Sequence, residues 1–171
     1  MDNSNFNNTA NDILKIEADI YFELAEKLME ENNKFSPEYI ITQKDAISAL
    51  VTSAVYGYAA ELYLKFIISQ FNETPSKGHN LYKIYKKIQT EQCLDFVERT
   101  FAQYFENDTE VLKKGLAGIL KGIQQDFVDH RYIAERVQSQ MYFNIRLDYS
   151  YFIFGYLKEI TDDWVEAKYR D

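Results

Sequence analysis

Apolar residues recur every three or four positions along most of this chain, which is the spacing of one face of an α-helix. No stretch reads as a confident strand. Short polar loops separate the helical stretches, so they predict several amphipathic helices packed together. We predict helices over about residues 11–31, 45–71, 80–90, 91–105, 110–133 and 147–168, the third and fourth being either separate or one bent helix.

The apolar stripe of each helix identifies the side chains expected in the core. In the helix over 45–71 the stripe contains a carboxylate, Glu61, among Leu50, Ala54, Gly57, Leu64 and Ile68. The first helix carries Leu14, Tyr21, Phe22, Ala25 and Leu28, and the later stripes are Leu81, Ile84, Tyr85 and Ile88; Leu94, Val97, Phe101 and Tyr104; Leu112, Leu116, Ile119, Ile123 and Phe127; and Tyr149, Phe152, Ile153, Tyr156, Ile160 and Trp164.

These patterns predict an all-α fold, an up-down bundle of four to five helices. We expect residues 11–171 to form a single domain after a flexible tail over residues 1–10, and residues 136–145 fit no element clearly. The composition agrees, because 6 Gly and 2 Pro in 171 residues are few for a turn-rich β fold. A hydrophobic fraction of 46% is enough for a real core.

Charge and cysteine content narrow the function classes. The net charge of -8 opposes nonspecific binding to nucleic acid but permits a local basic patch. The single cysteine, Cys93, excludes an intrachain disulfide and a thiolate metal cluster. Residues 1–8 lack the basic and apolar regions of a signal peptide, and the longest aromatic-apolar run, residues 151–157, is far short of a membrane span. We therefore expect a cytoplasmic protein that does not contact a membrane.

Three short segments, residues 60–67, 78–81 and 127–135, place charged or imidazole side chains beside strongly apolar helical patterns. A buried charge without a partner is costly, so we expect the three segments to meet and form one polar cluster. The partner of Glu61 is either Lys65, one turn later, or Arg131, whose planar guanidinium suits both carboxylate oxygens and which we favour. Such a pair either only locks two helices together or lines a cleft for a phosphate or nucleotide.

The two histidines allow different roles. His79 follows Gly78 at a predicted helix start, where it is either a capping or packing residue or a catalytic one. His130 precedes Arg131, and their side chains diverge by about 100°, so we expect His130 to face solvent or a partner. Too few metal-ligating side chains accompany the histidines for a metal site. The sequence also has no glycine-rich phosphate-binding loop, so we expect no cofactor.

One compact basic-aromatic patch stands out, formed by Lys83, Lys86 and Lys87 interleaved with Tyr82 and Tyr85. Such a patch either holds phosphates while its rings stack on bases, or is the solvated face of a helix. A second, looser group of lysines comprises Lys113, Lys114 and Lys121.

A Glu-x-x-x-Lys helix beginning at Glu61, the Gly-His-x-Leu of residues 78–81 and the Arg-Tyr-x-x-Glu of residues 131–135 follow one another in this order. Together they resemble the HEPN superfamily, small helical bundles of prokaryotic toxin–antitoxin, antiphage and nucleotidyltransferase-linked systems. The resemblance covers about residues 45–165. It implies that a shared cleft is lined or braced by Glu61, Lys65, His79, Arg131, Tyr132 and Glu135.

Ribonucleases of this superfamily carry an Arg and, a few residues later on the same helix, a His, in a metal-independent site that two subunits share. Neither histidine here has an Arg at that spacing, and Arg131 follows His130 instead. The resemblance therefore implies a non-catalytic nucleotide- or RNA-binding or regulatory module of a defence or stress-response system. The alternatives are a divergent ribonuclease acting as a dimer and an antitoxin-like partner of a nucleotidyltransferase.

We also expect a homodimer, because aromatic residues of the last helix cover more than one of its faces. These residues are Tyr149, Tyr151, Phe152, Phe154 and Tyr156.

Overall fold

A computed structural model describes residues 10–32, 43–71, 74, 75, 77–131 and 147–169, without the side chains of 10, 11, 32, 43–50, 124–131, 147–152, 168 and 169. The described part of the chain is all α-helical, which confirms the predicted fold class. Within it, no helix is both long and apolar enough to cross a membrane. The helices are α1 (Ala10–Asn32), α2 (Gln43–Gln70), α3 (Leu81–Tyr85), α4 (Glu91–Tyr104), α5 (Thr109–Arg131) and α6 (Leu147–Tyr169). The predicted tail over 1–10 and the ambiguous residues 136–145 lie outside the described residues, apart from the backbone of Ala10.

The five longer helices begin and end close to their predicted limits, whereas α3 is shorter than its apolar pattern. Its first turn is capped by the side chain of Asn80, which accepts a hydrogen bond of 2.9 Å from the backbone N–H of Lys83. After Tyr85 the backbone tightens, because Lys87 and Ile88 each donate to the carbonyl three residues earlier, at 3.1 Å. This tight turn ends α3 and makes α3 and α4 separate helices.

The central helix of the bundle is α2, which packs against α1, α3, α5 and α6. No side chain between residues 52 and 69 is exposed, so this part of α2 is covered on all sides. The predicted single stripe therefore describes only part of its buried surface. Leu64 and Ile68 are buried as predicted, but Tyr63 and Ile67, on other faces, are buried as completely. Leu50, also predicted to point inward, has an undescribed side chain.

Aromatic contacts fix the directions of the helices. Phe22 of α1 packs edge-on against Tyr56 of α2, with 5.4 Å between ring centroids, and Tyr56 stacks on Phe154 of α6 at 5.7 Å. Trp164, later in α6, contacts Phe71, the residue directly after α2, with 5.1 Å between ring centroids. The helices α2 and α6 therefore run parallel. Phe154 and Tyr156 are both buried within the chain, so neither supports a dimer; Tyr149, Tyr151 and Phe152 have no described side chains.

Tyr156 of α6 connects that helix to α4. Tyr156 is fully buried and its hydroxyl donates to the backbone carbonyl of Val97 at 2.6 Å. Its ring lies 5.6 Å from that of Phe101. Burial raises the pKa of Tyr156 well above 10.0, although a hydrogen bond with Thr100 acts in the opposite direction. The phenol therefore stays neutral and serves as a donor.

Helix α5 breaks its regular backbone at Gly115, where φ is 65° and ψ is 161°. The break changes the helical phase, so that Val111 faces the core before it and Leu116 after it. The prediction that Leu112 points inward is wrong for this reason, and its side chain is 37% exposed. The later residues Ile119 and Ile123 are buried as predicted, and the side chain of Phe127 is not described.

Candidate functional site

The side chain of Glu61, in the middle of α2, is 1% exposed and binds two donors from different parts of the chain. Its Oε1 accepts a hydrogen bond of 2.7 Å from Nζ of Lys65, one helical turn later. The Nδ1 atom of His79 lies 2.9 Å from Oε1 and 3.2 Å from Oε2. We call these three residues the Glu61 cluster. Two of the three predicted segments therefore meet, as expected.

The loop sequence Gly-His-Asn-Leu explains how His79 reaches α2. Gly78 has a φ of 141°, a conformation that side-chain-bearing residues rarely adopt, in the residue just before His79. Asn80 then caps α3, and Leu81 anchors the start of that helix in the core at 1% exposure. With the backbone fixed on both sides, the imidazole is held over the carboxylate of Glu61.

The cluster joins the core to the surface. The Lys65 side chain is only 16% exposed, so its ammonium and the Glu61 carboxylate neutralise each other where water is scarce. The His79 side chain is 52% exposed. Because a carboxylate only accepts, Nδ1 of His79 carries the hydrogen, and Nε2 is the ring nitrogen that does not face the carboxylate. Nε2 can then accept a proton or, when the ring is protonated, donate to an anion.

The favoured pairing of Glu61 with Arg131 stays a prediction. The backbone of Arg131 lies in α5, but its side chain and that of His130 are not described. Tyr132 and Glu135 lie outside the described residues altogether. The alternative partner, Lys65, is confirmed by its contact with Glu61.

The lysines of the predicted basic patch lie in α3 and directly after it. Lys83, Lys86 and Lys87 are exposed, and so is Lys77, which precedes His79 in the loop and which no sequence pattern singled out. We call Lys77, His79, Lys83, Lys86 and Lys87 the α3 patch.

Of the two tyrosines in this patch, one is buried, as its place in the apolar stripe predicts, and offers no ring for stacking: Tyr85. Its side chain is 5% exposed, and its hydroxyl donates to the carboxylate of Glu98. Burial, together with this hydrogen bond, raises the pKa of Tyr85 well above 10.0. Tyr82 is only partly buried and keeps part of its ring accessible.

A second group of charges, which was not predicted, links α1, α2 and α6. The Nζ atom of Lys15 lies 2.6 Å from an oxygen of Asp19 and 2.6 Å from an oxygen of Asp162. Lys158 approaches Asp162 at 2.5 Å, and the hydroxyl of Tyr63 donates to Asp19 at 2.7 Å. We call these residues the α1–α6 charge network. Its pairs four residues apart could have been found from sequence, whereas its contacts between helices could not.

Burial and hydrogen bonding act in opposite directions on the charges of this network. Burial alone disfavours the charged form of both Lys15 and Asp162. Their hydrogen bonds outweigh it, so the pKa of Lys15 lies above 10.5 and that of Asp162 below 3.8. Burial and the bond to Asp19 raise the pKa of Tyr63 far above 10.0. The network is therefore a structural link that favours ionised Lys15 and Asp162 and neutral Tyr63.

The described part of the chain contains neither an exposed cysteine nor a group of side chains that could hold a metal ion. Cys93 is buried in the core. No three His, Cys, Asp or Glu side chains among the described residues lie together as a metal site requires. No protein-family model, curated protein or solved structure matches this chain.

Proposed function

We propose that this chain is a HEPN-like, non-catalytic nucleotide- or RNA-binding module of a prokaryotic defence or stress-response system. The observation that carries the proposal is the Glu61 cluster, which holds a half-exposed His79 in a segment whose flanking lysines, Lys77 and Lys83, are exposed. It agrees with the motif resemblance, because Glu61, Lys65 and His79 are three of the residues that the resemblance assigns to a shared cleft.

Local charge supports an anionic ligand. The chain as a whole carries a formal charge of -8, yet the α3 patch gathers four exposed lysines and one exposed imidazole. Lys65 already neutralises the carboxylate beneath the ring, so protonated His79 adds a further positive charge to the patch. Lysines on such a surface bind phosphates, and Tyr82 offers a partly accessible ring for a base.

The proposal is tested by titrating labelled single-stranded RNA and mononucleotides with the full chain and following fluorescence anisotropy. The variant Lys83→Ala/Lys86→Ala/Lys87→Ala removes most of the patch. We expect it to bind RNA more weakly and to flatten the slope of log K against log salt by about 0.7 for each phosphate that is no longer neutralised.

A matched control is Lys113→Ala/Lys114→Ala/Lys121→Ala, which removes the same charge from exposed positions of α5. We expect this control to keep most of the affinity and the salt slope of the original chain. Equally weakened binding in both triple variants, or no binding by the original chain below about 1 mM, would contradict the proposal.

The Glu61–His79 contact also favours one second candidate, a metal-independent ribonuclease. A carboxylate that holds Nδ1 of a histidine leaves Nε2 as a base, the arrangement used in general acid–base catalysis. Nε2 would take the proton of an RNA 2′-hydroxyl, whose oxygen attacks the adjacent phosphorus. The bond from phosphorus to the 5′-oxygen would break, and this oxygen would take a proton from water while Nε2 returns its proton to solvent, so that a 2′,3′-cyclic phosphate remains.

An RNA cleavage assay in the presence of a chelator separates the two candidates. The ribonuclease requires cleavage by the original chain and its loss in His79→Ala, with His130→Ala as a second variant. If the original chain and both histidine variants cleave RNA equally, or if none of them cleaves it, the ribonuclease candidate is excluded. The non-catalytic binding module then remains the proposal.

A further inference from the structure

Helix α1 presents apolar side chains to solvent along its outer face. Ile13, Ile16, Ile20 and Leu24 are 52%, 46%, 60% and 43% exposed. At 100° per residue these four lie within an arc of about 80°. Ala18, Phe22 and Ala25, on the opposite side, are buried against the bundle. Single exposed apolar side chains are ordinary, but these four in one row form a continuous patch, which we call the α1 outer stripe.

The spacing of the stripe makes it complementary to itself when a second copy runs antiparallel. With Ile20 set against Ile20 of the second copy, Ile16 lies opposite Leu24, because both are four residues from Ile20. Ile13 then lies opposite Lys27, seven residues on the other side, and the aliphatic stem of Lys27 can cover it. Each exposed apolar side chain of the stripe thereby gains an apolar neighbour.

Charges favour the same arrangement. In this register the ammonium of Lys27 reaches Asp12 of the second copy, which adjoins Ile13, and the two-fold axis repeats the pair. Glu17 and Glu23 lie on opposite edges of the stripe, so each stays at the rim. A parallel pairing in register would instead set Lys27 against Lys27 near the centre line of the stripe, which is repulsive.

We propose that the α1 outer stripe is the surface through which two copies of this chain pair, with their α1 helices antiparallel about Ile20. The inference is independent of the proposed ligand, because α1 contributes nothing to the α3 patch. One helix face is smaller than the roughly 800 Å² per subunit of a stable interface, so we expect a reversible dimer with a Kd of about 1–100 µM.

Sedimentation equilibrium of the full chain over about 1–300 µM tests the pairing. The variant Ile20→Glu sets two carboxylates against each other, and we expect it to raise Kd at least about tenfold. It should fold normally, since Ile20 is 60% exposed, and far-ultraviolet circular dichroism checks this. The control is Leu112→Glu, at an exposed leucine of α5, which should leave the dimer unchanged. The proposal is overturned if the chain is monomeric over the whole concentration range, or if Ile20→Glu leaves the Kd of the dimer unchanged.

Two further variant sets test the antiparallel register. Lys27→Glu should weaken the dimer, and adding Asp12→Lys should restore it by exchanging the two charges. Under oxidation Ile20→Cys should form a disulfide between copies, because the two positions face each other. Leu24→Cys should not, because the two copies of that residue lie eight helical positions, about 12 Å, apart along the axis. Equal cross-linking of the two cysteine variants, or no rescue by the charge exchange, overturns the register.

Discussion

The most direct test of the Glu61 cluster is the variant Glu61→Ala. It removes the carboxylate that holds both Lys65 and His79, and it leaves a lysine that is only 16% exposed without its counter-ion. Removing one partner of a buried pair costs about 3–5 kcal/mol. For a domain of this size the melting temperature falls about 2–4 °C per kcal/mol, so we expect a drop of about 6–20 °C.

Companion variants separate the charge pair from the packing. Lys65→Met leaves Glu61 buried with His79 alone, so it should also lower the free energy of unfolding. The combination Glu61→Leu/Lys65→Met should cost less than Glu61→Ala, because apolar residues of similar volume often replace a buried ion pair without loss. His79→Ala should cost only about 1 kcal/mol, because half of this side chain is in water.

Urea unfolding monitored by circular dichroism and by the fluorescence of Trp164, the single tryptophan, provides these free energies. If the free energy of unfolding of Glu61→Ala is less than about 1 kcal/mol below that of the original chain, then Glu61 and Lys65 do not form a buried ion pair, because removing one partner of such a pair destabilises a protein by more than that. If Glu61→Leu/Lys65→Met lowers the free energy of unfolding by the sum of the losses in Glu61→Leu and Lys65→Met, then Glu61 and Lys65 are not coupled as an ion pair.

Two other features of the bundle give predictions that a stability assay checks. Gly115→Ala should destabilise the chain by about 1–3 kcal/mol because of its backbone conformation alone, since no heavy atom lies within 4 Å of the added Cβ. Gly122→Ala, in regular helix with equally open space, should instead stabilise by about 0.5–1 kcal/mol, and a destabilised variant there would contradict this explanation. The lowered pKa of Asp162 adds stability that is present above its unfolded value of 3.8 and is lost as the pH falls through the folded value. Asp162→Asn should therefore show a flatter decline of stability below about pH 4, and an unchanged acid limb would contradict the role of the α1–α6 charge network.

Much of the fold follows from the sequence, because helical periodicity over twenty or more residues is a strong signal. A prediction from periodicity fails where the local backbone conformation departs from a regular helix. Leu112 shares a phase with Leu116 and Ile119 in a continuous helix, and only the conformation of Gly115 removes it from the core. The apolar stripe likewise runs through the tight turn after Tyr85, although α3 has already ended there.

The site was predictable in part. The burial of Glu61 and its possible contact with Lys65 follow from one helix considered alone. The contact with His79 joins residues 18 positions apart through a loop, and it depends on a φ at Gly78 that no periodicity reveals. The preference for Arg131 rests on guanidinium geometry and stays a prediction, because the side chain of Arg131 is not described.

The His79 ring also makes this protein convenient to observe. One edge of the ring contacts a carboxylate that solvent barely touches, and the other is open to solvent. Since the chain has only one other histidine, its imidazole signals in a proton nuclear magnetic resonance spectrum can be assigned with a single substitution. These signals are an intrinsic, label-free sensor that responds both to changes in the protein interior and to molecules arriving from outside.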